Sequence, residues 1–182
     1  MSIERSTGET RVTASLVLAP GESVVGTRLR FLDHMLVTLA RYAGWTLRLQ
    51  ARGDLVHHTI EDVAITLGMA LRDAAPEAIG RYGHRVVAMD DALVAATVDV
   101  GGRFYYEGPL PSDLYDHFLR SLCEHARVTL HVDVRRGRDR HHIVEAAFKA
   151  VGLALRDALA PTEAVVSTKG AVQVTGARGD VP

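Results

Sequence analysis

A lone cysteine, Cys123, leaves nothing for an intrachain disulfide to join, so this chain is no cross-linked secreted scaffold. Long apolar runs are missing too. The longest, "ALVAATV" at 92–98, falls far short of the roughly 20 residues a spanning helix needs. Charge of one sign is not in excess: 21 basic residues face 22 acidic ones, for a formal net charge of -1. No global field then favours nucleic acid or an anionic membrane, and any anion site must be local. The opening "MSIERSTGETR" lacks the apolar core of a signal peptide. These absences predict a cytoplasmic chain with neither nucleic acid nor membrane as a partner. What is present, 47% hydrophobic residues in 182, suffices to bury a core in one average domain or two small ones.

The chain repeats itself. Residues 57–75, "HHTIEDVAITLGMALRDAA", match 141–159, "HHIVEAAFKAVGLALRDAL", in both histidines, the glutamate, a glycine and the whole run "ALRDA". That is more than shared helix composition produces. Upstream, "DHMLVTLARYAGWTLRLQARGDLVHH" pairs with "DHFLRSLCEHARVTLHVDVRRGRDRHH", which makes the chain an internal duplication. Each copy has one plan. "FLDHMLVTLARYAG" and "DHFLRSLCEHA" carry apolar residues at helical period, "WTLRLQAR" and "VTLHVDV" alternate as half-buried strands do, and the HHxxE helices end before Pro76 and Pro161. Further strands are expected in "RVTASLVL", "RVVAM", "ALVAATVDV" and "RFYYE". The expectation is an α+β fold of two duplicated halves, 1–80 and 81–182, each a small β-sheet with two α-helices on one face. Neither half need be stable alone, and "GARGDVP" reads as a disordered tail.

Each copy supplies an Asp-His histidine, two adjacent histidines and a glutamate: His34, His57, His58 and Glu61, then His117, His141, His142 and Glu145. A single histidine near a helix start is ordinarily a surface or capping residue; a repeated set of this composition points to metal. Neutral imidazoles with carboxylates suit manganese, iron, zinc or nickel, and the absence of nearby cysteine argues against a closed structural zinc site. Adjacent helical residues diverge by about 100°, so one ion cannot readily take both members of an HH pair. Either His57 or His58 can share a face with Glu61, leaving the other for a different ion. Two sites, or one shared between subunits, follow. His84, His125 and His131 read as solvent-facing or structural. Arg81, Arg103, Lys149 and "STKG" at 167–170 are groups able to hold a phosphate.

The segments "FLDHM", "HHTIEDVAITLG", "RYGH…MDDAL", "DHFLRSL", "TLH", "HHIVEAAFKA" and "STKG" occur in the order found in imidazoleglycerol-phosphate dehydratase, a family this chain resembles from about residue 4 to residue 172. The resemblance implies a ribosomal protein S5 domain 2-like fold in each half. It also implies a dehydration that turns imidazole glycerol phosphate into imidazole acetol phosphate and water in histidine biosynthesis, two manganese ions per active site, and a homo-oligomeric shell, a 24-mer in the family. By motif, His34, His57, His58, Glu61, His117, His141, His142 and Glu145 match the metal ligands. Glu9 matches a carboxylate acting as acid or base. Catalysis would run through Glu9, His34, Glu61, His142 and Glu145, with Glu9, Arg81, Arg103, Lys149, Ser167 and Lys169 handling the substrate and its phosphate.

That chemistry explains the donor set. The proton to be removed sits beside no carbonyl, so the substrate's own imidazole must serve as electron reservoir. Metal ions on its ring nitrogens would make that possible, and a carboxylate such as Glu9 would move the carbon-bound proton. The chain departs from the family pattern twice. "TRLRF" puts Arg28 and Arg30 where "TGIGF" has glycines, and "GDLVHHT" is shorter than "GDxxIDDHHT" and lacks its paired aspartates. Two rival readings stand beside the dehydratase: a non-catalytic metal-binding relative, and a dinuclear metal phosphoesterase.

Overall fold

The computed structural model describes residues 1–164; "STKG", with Ser167 and Lys169, and "GARGDVP" lie outside the described residues. The order is β1 (Ser2–Ser6), β2 (Thr10–Val17), β3 (Val24–Gly26), α1 (Arg30–Ala43), β4 (Thr46–Gly53) and α2 (Val56–Ala74), then β5 (Tyr82–Met89), β6 (Ala92–Asp99), β7 (Tyr105–Glu107), α3 (Asp113–Ala126), β8 (Thr129–Arg136) and α4 (Arg140–Ala158). The first half forms a four-stranded sheet in the order β1-β2-β4-β3 and the second repeats it as β5-β6-β8-β7. In each, the outer short strand pairs parallel to its neighbour and the other pairs are antiparallel. β1 and β3 escape sequence reading: β1 is largely polar, and β3 has only three residues over which to show a period.

Alternation along the central strands turns one face inward. Val12, Ala14 and Leu16 of β2, and Leu47, Leu49 and Ala51 of β4, are buried, as are Val94, Ala96 and Val98 of β6 with Leu130 and Val132 of β8. The helices fill the space between the sheets. α2 packs on β1 and β2 and, on its other side, on α3; α4 packs on β5 and β6 and, on its other side, on α1. Buried on two sides, α2 and α4 carry apolar or small residues around most of their circumference, whereas α1 and α3 show a single apolar stripe. One contiguous core joins both halves. No helix among the described residues is long and apolar enough to cross a membrane.

Each helix therefore finds its main helical neighbour in the other half. Two glycines at equivalent repeat positions permit the close approach. A Cβ on Gly68 would lie 2.5 Å from the Leu122 carbonyl oxygen and 3.1 Å from the Ala126 nitrogen; on Gly152 it would lie 2.9 Å from the Leu39 carbonyl oxygen and 3.1 Å from the Ala43 nitrogen. The obstacles are backbone, which cannot rotate away. A Gly68→Ala substitution gains helix propensity of about 1 kcal/mol, yet it must push α3 off α2 at an overpacking cost of about 1–3 kcal/mol. We expect a lower thermal midpoint for Gly68→Ala and for Gly152→Ala. A rise in midpoint for both would mean that the helices do not approach as described.

Candidate metal centres and active site

Helix pairing brings the histidines together in a way the linear repeat does not suggest. His34 lies near the start of α1, and His141 and Glu145 on the first turns of α4; α1 and α4 run alongside with their N-termini together. His34 Nε2 and His141 Nε2 each stand 3.1 Å from Glu145 Oε2. The mirror arrangement joins α3 to α2. His117 Nε2 is 3.3 Å from Glu61 Oε1, His57 Nε2 is 3.8 Å from Glu61 Oε2, and the two imidazoles stack with centroids 4.9 Å apart. Within each trio the potential ligand atoms all lie within 4.8 Å of one another. His34 thus joins the second copy's His141 and Glu145, and His117 joins the first copy's His57 and Glu61, a crossing that the spacing within each copy does not specify.

Two imidazoles and one carboxylate converging in this way fit a divalent transition metal, and they leave coordination positions for further ligands. The i,i+4 pairs His57/Glu61 and His141/Glu145 share a helix face, so the choice left open by spacing falls on His57 rather than His58. Glu145 is buried, which pushes its carboxyl up. Lys149 Nζ at 3.0 Å and His34 outweigh that effect and hold it below its usual range. The corresponding position on α2 is Ile65, so the two centres differ in local charge.

His58 and His142 turn away from these trios. His58 Nδ1 lies 2.8 Å from Asp54 Oδ1 and 3.6 Å from Glu9 Oε2. His142 Nδ1 lies 2.7 Å from Asp91 Oδ1, and its Nε2 lies 3.5 Å from Asp90 Oδ2. Glu9 and Asp91 sit at equivalent tips of the β1–β2 and β5–β6 hairpins. The hydrogen bonds to Asp54 and Asp91 raise the pKa of His58 and His142, respectively. Asp91 is held down to about 2 by His142 and by the backbone N–H groups of Arg138 and Asp139, at 2.5 and 3.1 Å. An ionised Asp91 can only accept, so Nδ1 carries the proton and Nε2 is free to ligate. Sequence reasoning quoted "MDDAL" but gave Asp90 and Asp91 no role; the signal was the tip position they share with Glu9.

The aspartates of the Asp-His pairs do structural work. Asp33 Oδ1 accepts from Thr27 N–H at 2.8 Å and Thr27 Oγ1 at 2.6 Å, and Asp116 Oδ1 accepts from the Tyr106 hydroxyl at 2.8 Å. Beside them Arg28 takes φ 67, the left-handed region glycine enters most easily, which is the conformational reason for a glycine at that position of the "TGIGF" pattern. Arg28, Arg52 and Asp54 line a cavity of about 180 Å³ at the start of α2, where the shorter loop still delivers both histidines. His125 Nδ1 bonds the Ser121 carbonyl at 2.9 Å, while His84 and His131 are exposed on the second sheet.

Not every expected substrate residue is brought to these centres. Lys149 is, through Glu145. Arg81 is not: its N–H donates to the Ala158 carbonyl at the far end of α4, about 27 Å from that helix's start by its length. Its guanidinium pairs with Asp99 at 2.7 Å and lines a cavity of about 390 Å³. Arg103 is exposed on the loop before β7, whose Gly102 carbonyl accepts from Arg127 at the C-terminal end of α3. Arg81 and Arg103 therefore share an end of the protomer opposite the histidines.

Comparisons with known proteins agree with this architecture. The family model described as imidazoleglycerol-phosphate dehydratase matches residues 27–155. An enzyme of that name from an Anaeromyxobacter species is 49% identical over 92% of this chain and 91% of its own length, and one from Caldivirga maquilingensis is 43% identical over 86% and 90%. The crystal structure of the Pyrococcus furiosus enzyme superposes with a TM-score of 0.87 at 38% identity, covering 93% of this chain and all of that one. That of Staphylococcus aureus gives 0.80 at 32% identity, covering 89% and 99%. With a matched model across both ligand trios and relatives of this identity along nearly the whole chain, the protein belongs to the imidazoleglycerol-phosphate dehydratase family, hydro-lyases of histidine biosynthesis that depend on a metal.

Proposed function

We propose that this protein is a manganese-dependent, cytoplasmic dehydratase that converts imidazole glycerol phosphate to imidazole acetol phosphate and water, with two manganese ions per active site. The observation that carries the proposal beyond its family is the split of each HH pair. His57 and His141 close three-residue trios inside the protomer, while His58 and His142 are aimed elsewhere, each hydrogen-bonded through Nδ1 to a carboxylate. In this reading His34, His141 and Glu145 hold one ion and His57, Glu61 and His117 the other. His58 and His142 of neighbouring copies complete them within a large homo-oligomer, 24 copies in the family. The same contacts between copies carry Arg81 and Arg103 from the far end of one protomer to the histidines of another.

When bound, the ions supply Lewis-acid polarisation of the substrate's imidazole and hydroxyl. The chain's own groups do the rest. Glu9, with an exposed carboxylate 3.6 Å from His58, takes the proton from the middle carbon of the glycerol chain, the one that keeps its hydroxyl. The hydroxyl on the carbon beside the ring departs with a proton as water, and the enol so formed loses its O–H proton and gains one at that same carbon to give the ketone. Lys149, Arg81, Arg103, Ser167 and Lys169 hold the phosphate and so fix the reacting carbon against Glu9.

Purified protein loaded with manganese and given imidazole glycerol phosphate should form imidazole acetol phosphate. No product at any metal loading defeats the proposal, and phosphate release from simple esters in its place favours a dinuclear phosphoesterase. His142→Ala should lose bound metal and turnover together; a variant with full metal content rules His142 out as a ligand. Asp91→Ala should weaken metal binding about 10- to 100-fold, because a ligating imidazole loses its orienting partner. pH offers an independent check. A histidine with a raised pKa binds its extra proton at higher pH, and metal needs the neutral ring. Metal uptake should therefore start to fall, as pH is lowered, above the ordinary imidazole value of about 6.5, and Asp91→Ala should move that onset downward. An onset unchanged in the variant would show that Asp91 does not act on a ligand.

A further inference from the structure

The two halves provide an internal control on one another. In the first, Arg5 of β1, Thr10 of β2 and Asp62 of α2 form a cluster between sheet and helix. Arg5 Nη1, itself buried, lies 2.5 Å from Asp62 Oδ2, and the buried Thr10 hydroxyl donates to the same oxygen. By strand register and helix position, the equivalent residues of the second half are Val87, Ala92 and Ala146, all apolar. The same sheet-to-helix junction thus closes without charge. A buried ion pair is seldom more stabilising than apolar residues in its place, so fold stability gives no reason for the polar cluster.

What separates the halves at this junction is the carboxylate on the hairpin tip. Asp91 is tied down by His142 and two backbone N–H groups, whereas the side chain of Glu9 makes no hydrogen bond among the described residues and is 60% exposed. Its backbone, by contrast, is held from every side. Thr7 Oγ1 accepts from the Glu9 and Thr10 N–H groups at 3.2 and 3.0 Å, and the Glu9 carbonyl accepts from Asp54 N–H at 3.1 Å. Thr10 then locks the tip to α2 through Asp62, the residue next to Glu61. We propose that Arg5, Thr10 and Asp62 are positioning residues that fix the backbone of Glu9 against the metal-bearing end of α2, so that its unbonded carboxylate swings within a small, defined volume. This rests on Glu9 being the proton-transfer group.

The test transplants the second half's solution. The variant Arg5→Val/Thr10→Ala/Asp62→Ala removes all three polar groups together and strands no buried charge. Manganese-loaded enzyme is assayed with imidazole glycerol phosphate, alone and in a Glu9→Gln background, and amide hydrogen exchange is followed at residues 7–10. The expected result is unchanged metal content, KM within about threefold, kcat lower by about 10- to 100-fold, and faster exchange at the tip amides. In the Glu9→Gln background the triple substitution should lower kcat no further. Unchanged kcat, or an equal loss in both backgrounds, overturns the proposal. Full activity in Glu9→Gln alone overturns the role of Glu9 instead, and the tip amides then still report whether the cluster tethers the hairpin. If the triple variant does not fold, Thr10→Val and Thr10→Ser decide. Only the serine variant, which keeps the hydroxyl, should retain kcat, and equal kcat in the two overturns the proposal.

Discussion

The close approach of α2 to α3, and of α4 to α1, is the constraint on which the rest of this structure depends. Each helix carries an incomplete set of donors at its N-terminal end. α2 and α4 have a histidine and a glutamate one turn apart; α1 and α3 have one histidine each. Only when helices of different halves lie side by side, at a spacing that leaves no room for a Cβ at Gly68 or Gly152, do three ligand atoms converge. Packing and donor geometry are therefore one property. The duplication supplies two copies of every part, and the interlock of helices from opposite halves makes two complete trios from them.

Duplication also makes the differences between the halves informative. Lys149 neutralises Glu145, while α2 has an isoleucine at that position. Asp91 is immobilised by three hydrogen bonds, while the Glu9 carboxylate stays free above a polar cluster with no counterpart in the other half. A scaffold of two like halves would by itself produce two like sites. These departures leave one hairpin tip with a fixed carboxylate on His142 and the other with an unbonded carboxylate near His58.

Much of the fold was legible in the residues. Period-two burial in "WTLRLQAR" and "VTLHVDV", helical period in the Asp-His segments and the doubled HHxxE run placed all four helices and the central strands. The outer strands were harder. β1 is half exposed and polar, and β3 takes its strand character from parallel pairing with β4, a long-range relation that three residues cannot advertise, whereas the aromatic "RFYYE" did mark β7. At the site, residue types and the divergence of adjacent histidines were readable because helix geometry is local. Which histidine joins which glutamate was not, because His34 and Glu145 are separated by most of the chain.

The sequence by itself determined the inventory: two sheet-and-helix units, eight imidazole and carboxylate donors suited to a borderline divalent metal, and a family whose motifs run in order along the chain. Tertiary structure alone decided the partnerships. It crossed the donors between halves, sent His58 and His142 onto the carboxylates of hairpin tips and loops, and put Arg81 and Arg103 a helix length away from the histidines. The reason is physical. Local periodicity fixes which face of an element a side chain occupies, but which element that face meets is set by long-range burial of the faces left apolar.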